Sequence, residues 1–237
     1  MMQLLIKILA VPLAASALFL LITGTFHAIW ADVTIGEAAV IKLPDPDREG
    51  SVPLETTLQK RRSIRSFQEA PLPLPAVSQL LWAAQGITDH RGFRTAPSAG
   101  ALYPLEIFVV AANVSGLENG IYLYKPADHA LMFKAKGDYL QALSQAALGQ
   151  DAINHAPAVF VIGGIQQRTT GKYGERGVLY MYMESGHAAQ NICLQAVALD
   201  LGSVTIGAFT DHQVAGILKM GKNSSPLYII PVGKTQR

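Results

Sequence analysis

Three arginines and two serines crowd into the heptad RRSIRSF at positions 61–67, in a chain with only 19 Lys and Arg in all. A guanidinium presents a planar fork of N–H donors that matches phosphate and keeps its charge at any ordinary pH. A serine hydroxyl adds a donor that can turn to meet an oxygen. In an extended segment alternate side chains share a face, so Arg61, Ser63 and Arg65 would line one side, with Arg62 beside them. Residue chemistry leaves two readings open. The heptad is an anion seat, or it is the solvated basic end of a helix, where Lys and Arg are favoured.

Three further stretches carry weaker signals. RTAPSAGALYPLEIF holds Pro97, Ser98, Ala99 and Gly100, a run of small residues that lets backbone N–H groups come close to a flat ligand. LGSVTIGAF again leaves backbone accessible, around Ile206, Gly207 and Ala208. The ending VGKTQR puts Lys234 just past a strand. Absences narrow the chemistry. There is no Gly-x-Gly-x-x-Gly after a strand, no Walker A loop and no Gly-x-Ser-x-Gly elbow. Glu184 and His187 stand at i, i+3 as in di-iron bundles, but no second such pair exists, so no metal site is expected. The pair reads instead as polar groups bonded inside or across a helical interface. Cys193, the single cysteine, sits in the apolar run ICLQAV and reads as a buried small hydrophobe.

The elements that must position these residues follow from periodicity. LETTLQKRR reads as a short helix ending in basic residues, followed by an extended SIRSF. PLPLPAVSQLLWAAQGI has helical spacing at Val77, Leu80, Leu81 and Ala84, with Gly86 as its stop. LEIFVVAAN reads as a strand, IYLYKPADHALMF as a hairpin turning at Pro126–Asp128, GDYLQALSQAALG as a helix and APAVFVIGG as a buried strand. A long helix is expected from Arg176 to Leu201, apolar nearly all round and so buried on several sides. A short strand or loop (GSVTIGAF), a short helix (DHQVAGILKM) and a final strand (PLYIIPVG) complete the chain. The interleaving without strict alternation predicts an α+β fold, a mixed sheet with helices packed on it.

Half of the 237 residues are hydrophobic and 15% are charged, which marks a globular chain. A formal charge of +2 is too small for a general nucleic-acid binder. Residues 8–31 carry no formal charge, and ILAVPLAASALFLLITGTF is about long enough as a helix to cross a ~30 Å hydrocarbon core. Residues 1–31 are therefore expected to be an N-terminal membrane anchor, with a cleaved signal segment as the rival, and 32–53 a linker or extended arm before a domain at 54–237. Lys7 is the one formally charged residue in 1–31, so the rest is nearly neutral, with 18 of the 19 basic residues against 17 acidic ones.

Taken in order, RRSIRSF, APSAG, LGSVTIGAF and PLYIIPVGK resemble the FMN-dependent nitroreductase superfamily, over about Leu54 to Gly233. PSAGALYPLE, GIYLY with HAL, KYGERG and ESGHAAQN are most similar to its azoline-dehydrogenase (SagB-type) branch. The resemblance implies an FMN enzyme of nitroreductase-like fold, a homodimer with the long helix in its interface and the flavin sites between subunits. By the family pattern Arg61, Arg62 and Ser63 would hold the phosphate and ribityl end. Arg65 would reach the pyrimidine edge of the ring, where a cation stabilises the charge that develops on reduction. Pro97–Gly100 would lie against the ring of the partner's flavin. The backbone at Ile206, Gly207 and Ala208 would donate near N5, and Lys234 would assist at the phosphate. Lys172 and Tyr173 match the pair held to move a proton while a thiazoline or oxazoline is oxidised. The substrate would be a small molecule or a modified peptide. NAD(P)H-dependent reduction of nitro compounds or quinones is the alternative reaction, and a non-catalytic flavin binder the alternative class.

Overall fold

A computed structural model of the chain describes residues 39–236. The expected anchor at 1–31 and the start of the expected linker lie outside the described residues. Among the described residues no helix is long and apolar enough to cross a membrane.

The chain runs β1 (Val40–Lys42), α1 (Leu54–Lys60), β2 (Leu72–Pro73), α2 (Leu74–Gln85), β3 (Leu105–Ala111) and β4 (Val114–Ser115). Then come β5 (Gly120–Lys125), β6 (Ala130–Lys136), α3 (Leu140–Ala146), α4 (Asp151–Asn154) and β7 (Ala158–Ile165). It ends with α5 (Gln166–Tyr173), α6 (Arg176–Ala198), β8 (Leu201–Ser203), α7 (Asp211–Ile217) and β9 (Ser224–Lys234). One seven-stranded sheet has the order β1-β6-β5-β3-β7-β9-β8. All its strand pairs are antiparallel, and among the described residues parallel pairing is confined to β2 with β4 and to a bridge between Ser63 and Ser203.

Strand alternation divides the core. On β3, Leu105, Ile107, Val109 and Ala111 face α2 and α6, while Phe108 and Val110 face α3, α4 and α7. Helices thus cover both faces of the sheet, the α+β arrangement that the pattern predicts. Three elements differ from expectation. Residues 39–53 are not a free linker. Val40–Lys42 pairs with β6, Leu43 is buried, and Gln79 bonds the backbone of Asp47 in both directions at 2.8 Å. His129 helps to fix this arm. Its Nε2 lies 2.7 Å from Ser78 Oγ and 3.0 Å from Pro44 O, and its Nδ1 lies 2.9 Å from the Tyr124 hydroxyl. QQRTTGKY, unassigned from periodicity, is helix α5. Finally, α6 stops at Ala198, and the turn through Asp200 (φ 57°) starts β8. Its buried face runs through Met181, Glu184, Ala188, Ile192 and Ala196. On another face Leu179, Tyr182 and Met183 are 45%, 54% and 53% exposed.

Candidate functional site

The expected site residues gather in two places. The first is built on the heptad. Arg61 caps α1, its N–H donating to Thr57 O at 2.9 Å. Two apolar residues then anchor the extended segment, because Ile64 and Phe67 pack into the α3/α4/α7 side of the core. Their backbone zips to strands far along the chain. Ile64 N–H donates to Ser203 O at 2.9 Å, and Phe67 bridges Thr235. Gln68 N–H donates to Lys234 O at 2.9 Å. Gly202 makes the approach feasible, since a Cβ there would stand 2.7 Å from Ile64 Cγ2. With Ile64 and Phe67 turned in, Arg62, Ser63 and Arg65 are exposed and Arg61 is half-buried.

Two details separate these residues. Arg62 Nη1 folds back on α1, donating to Gln59 O (3.0 Å) and Arg61 O (2.7 Å), the helix-end role that charge alone had left open. Lys234 lines a wide cavity of about 990 Å³ with Gln79, Trp82 and Asn191, whereas Arg62, Lys60, Ser203 and Thr235 line a separate cleft of about 210 Å³. Cys193 is buried as expected. Burial pushes its thiol up, opposed by a hydrogen bond with Ser203 and the nearby charge of Arg61. In the neighbouring stretch Ile206 exchanges both backbone bonds with Ile229 (2.8 and 3.0 Å). Its N–H is thus spent on the sheet and cannot serve a ligand. That part of the expectation moves to Gly207 and Ala208, which are exposed.

The second place is the small-residue turn. Ala99–Ala101 form a single 3-10 turn with Gly100 at φ 63°, a conformation that favours glycine. Pro97 and Gly100 are exposed, while Ser98 and Ala99 are tied down. Glu184 of α6, 4% exposed, accepts from Ser98 Oγ (3.0 Å) and from Ala99 N–H (2.9 Å) through one oxygen. Ser98 Oγ in turn accepts from Tyr103 N–H at 2.8 Å. Burial pushes the Glu184 carboxyl up, and the bonds from Ala99 and Ser98 pull it back down. Lys172 and Tyr173, at the end of α5, come to the same turn. A Cβ on Gly100 would stand 2.7 Å from the Tyr173 hydroxyl and 2.9 Å from Lys172 Nζ. The sequence reading named Gly100, Lys172 and Tyr173 but missed Glu184 as the holder of the turn. It also missed Arg94, whose guanidinium lies 4.2 Å from the Tyr103 ring centroid. The spacing of ESGH drew attention to Glu184, yet its partners lie 85 and 86 residues away and leave no local pattern.

The two places stand at opposite ends of the sheet. The turn leads into β3, where Leu105 pairs with Gly164, which pairs with Ser225 at the start of β9. The heptad lies against β8, which pairs with Val232–Lys234 at the end of β9. Ser63 bridges Ser203, which pairs with Val232, and from Ser225 to Val232 the strand runs about 23 Å at 3.3 Å a residue. Among the described residues no group of three or more His, Cys, Asp or Glu could hold a metal ion.

A seven-stranded antiparallel sheet between two helical layers, with a basic segment at one end and a Lys-Tyr pair over a small-residue turn at the other, has its counterpart among known proteins. The nitroreductase family model matches residues 58–234, and the chain belongs to that family, a family of oxidoreductases whose members typically bind flavin. It is 44% identical over 200 residues to MJ1384 of Methanocaldococcus jannaschii, described as a candidate nitroreductase, covering 84% of this chain and 98% of that one. It is 30% identical over 168 residues to the microcin B17-processing protein McbC of Escherichia coli, covering 67% of this chain and 61% of that one. With McbC and the trifolitoxin operon protein TfxC of Rhizobium leguminosarum (25% identical, 81% of this chain and 58% of that one) among its relatives, it falls on the SagB-type side of the family. Among solved structures, a candidate nitroreductase from Ralstonia eutropha JMP134 superposes with a TM-score of 0.74 at 30% identity, over 86% of this chain and 93% of that one. The E. coli microcin synthetase McbBCD complex, solved with truncated pro-MccB17 bound, shares the fold at a TM-score of 0.65 and 23% identity, over 98% and 85%.

Proposed function

We propose that this chain is an FMN-dependent oxidoreductase that works as a homodimer, each flavin seated by the heptad of one subunit and the turn of the other. The observation that carries the proposal is the placement of the two groups about 23 Å apart along β9, at opposite ends of the sheet. With the groups at opposite ends of the sheet, we read a flavin touched by both as lying between two chains. The open apolar face of α6 at Leu179, Tyr182 and Met183 supplies a surface for such pairing.

In this reading Arg61, Ser63 and Arg65 hold the phosphate and the pyrimidine edge, with Arg62 released from its helix-end bonds to join them. The unpaired backbone of Gly207 and Ala208 borders the ring, and Lys234 contributes long-range positive charge. Bound FMN would supply two-electron (hydride) exchange with a small organic or peptide substrate. A thiazoline or oxazoline that is dehydrogenated must also release a proton, and Lys172 Nζ with the Tyr173 hydroxyl, both beside the exposed Gly100, would receive and relay it. The likeness to McbC favours such a modified-peptide substrate. The 44% identity to MJ1384 favours a second reading, NAD(P)H-dependent reduction of nitro compounds or quinones. We also propose that residues 1–31 anchor the enzyme in a membrane. Carbonate extraction of membranes from cells expressing the chain with and without them checks this. An anchored chain stays in the pellet only when residues 1–31 are present.

The absorption spectrum of purified protein tests the proposal. Flavin bands in the visible, and FMN as the molecule released on heating, are expected. A colourless protein that takes up no added FMN would contradict it. Bleaching of the flavin by NAD(P)H alone selects the reductase, oxidation of an azoline peptide selects the dehydrogenase, and flavin retention with neither selects a non-catalytic binder.

A further inference from the structure

Four cations surround the turn that holds Gly100, with little to balance them. Arg168 and Lys172 are four residues apart on α5 and so share a helix face. Arg168 Nη1 donates to Tyr103 O at 3.0 Å, and Lys172 Nζ lies 5.4 Å from the Tyr173 ring centroid. Arg176, just past the break at Gly174, holds its guanidinium carbon 5.7 Å from the Tyr180 ring centroid. Tyr180 packs edge-on against Tyr173, with centroids 5.1 Å apart. Arg94 closes the other side, stacked on Tyr103, with its Nε buried and unpartnered.

The ion pairs among the described residues involve His90, Arg91, Lys136 and His155, and none of these four cations. Of the neighbouring carboxylates, Glu184 is enclosed, already accepts two bonds and offsets part of the charge of Arg94, and Glu175 is exposed at the start of α6, which leaves Arg168, Lys172 and Arg176 as the cations outside any ion pair. Arg168, Lys172 and Arg176 are all exposed. Self-repelling charges held on one wall by aromatic rings and a backbone carbonyl raise the local concentration of anions. The rings of Tyr173 and Tyr180 beside them offer apolar contact to a flat group.

We infer that this wall binds a substrate that carries an anion, a carboxylate or phosphate, next to the flat group that reacts. The guanidinium forks of Arg168 and Arg176 take the anion, and Lys172 stays with the reacting edge. The inference rests on the placement of Lys172 and Tyr173 at the reacting edge of a flavin site. The anion can arrive on the organic substrate or as the phosphates of a nicotinamide dinucleotide, so binding and the two half-reactions are measured apart.

The probes are 4-nitrobenzoate and its neutral isostere 4-nitrobenzamide. Calorimetric titration of the flavin-loaded chain should show tighter binding of the acid. Replacing Arg168→Gln and Arg176→Gln together should cut the acid-to-amide affinity ratio about tenfold, which corresponds to about 1.4 kcal/mol. High salt should narrow the ratio in the wild type. The distant exposed Lys136→Gln variant serves as a control for nonspecific charge, and its ratio should match the wild type. Anaerobic stopped-flow then assigns the source. A loss confined to reoxidation of the dithionite-reduced protein by 4-nitrobenzoate places the anion on the organic substrate. A loss confined to reduction by NADPH places it on the dinucleotide. Equal ratios in wild type and double variant, with unaltered rates in both half-reactions, would overturn the inference and leave the flavoenzyme reading standing. A protein that holds no flavin would overturn both.

Discussion

Glu184 joins the small-residue turn to the longest helix through a single oxygen, and its environment gives it a testable pH signature. Its carboxyl is pushed above the ordinary 4.5, with burial the leading cause. A raised carboxyl favours the folded state while protonated, so that contribution is present below the ordinary value and is lost as pH rises through the folded one. Glu184→Gln keeps an acceptor for Ser98 and Ala99 without the buried charge. Its melting temperature relative to wild type should therefore rise between pH 4 and pH 8, and a flat difference across that range would show the carboxyl to be unperturbed. Glu184→Ala leaves the Ala99 N–H unpaired and should cost about 1–3 kcal/mol in denaturant unfolding at pH 7. This residue marks a limit of legibility. RRSIRSF and PSAG stand out by residue type alone, whereas Glu184 acts through partners brought to it only by folding.

At the scale of elements, Ile64 and Phe67 turn inward and leave Arg62, Ser63 and Arg65 outward. The strict alternation that would put Arg61, Ser63 and Arg65 on one face does not hold, since the inward residues Ile64 and Phe67 are three apart, and the strand the heptad lies against was not readable, since Ser203 and Thr235 come from distant parts of the chain. Close contact at Gly202 yields a prediction. Gly202→Val would drive a side chain into Ile64 Cγ2 and Thr235 Cγ2, at 2.7 and 2.9 Å from the new Cβ. We expect a loss of about 1–3 kcal/mol in stability from overpacking, together with weaker FMN retention on gel filtration. Full flavin retention would show that the seat does not depend on this contact. Helix α5 escaped the sequence reading for a physical reason. Thr169, Thr170 and Gly171 have poor helix propensity. The helix is supported by tertiary packing, as Thr169 is fully buried and backbone comes so close at Gly177 that a Cβ there would stand 2.6 Å from Thr169 C. Strand β1 escaped likewise, being three residues long and paired with residues about ninety positions on.

Across the whole molecule, His129 ties the arm at 39–53 to α2 and β5, and it is held below its ordinary 6.5, mainly by burial. A depressed histidine contributes stability above the ordinary value and loses it as pH falls through the lower folded one. Wild type should therefore lose melting temperature between pH 7 and pH 5, and His129→Gln should show a smaller drop over that interval. An equal drop in both would assign the acid sensitivity elsewhere. The α+β class and most of the helices and strands were legible from periodicity. The distance between the heptad and the small-residue turn was not, because it depends on strand order. That distance is the centre of the account, and mixed dimers test it most directly. One chain carries Arg61→Ala and Arg65→Ala, the other Lys172→Ala, and each alone forms a defective homodimer. If every seat draws on two chains, the purified heterodimer holds one seat with both halves intact and should turn over at about half the wild-type rate. A heterodimer as inactive as its two parents would place both halves of the seat in one chain and contradict the account.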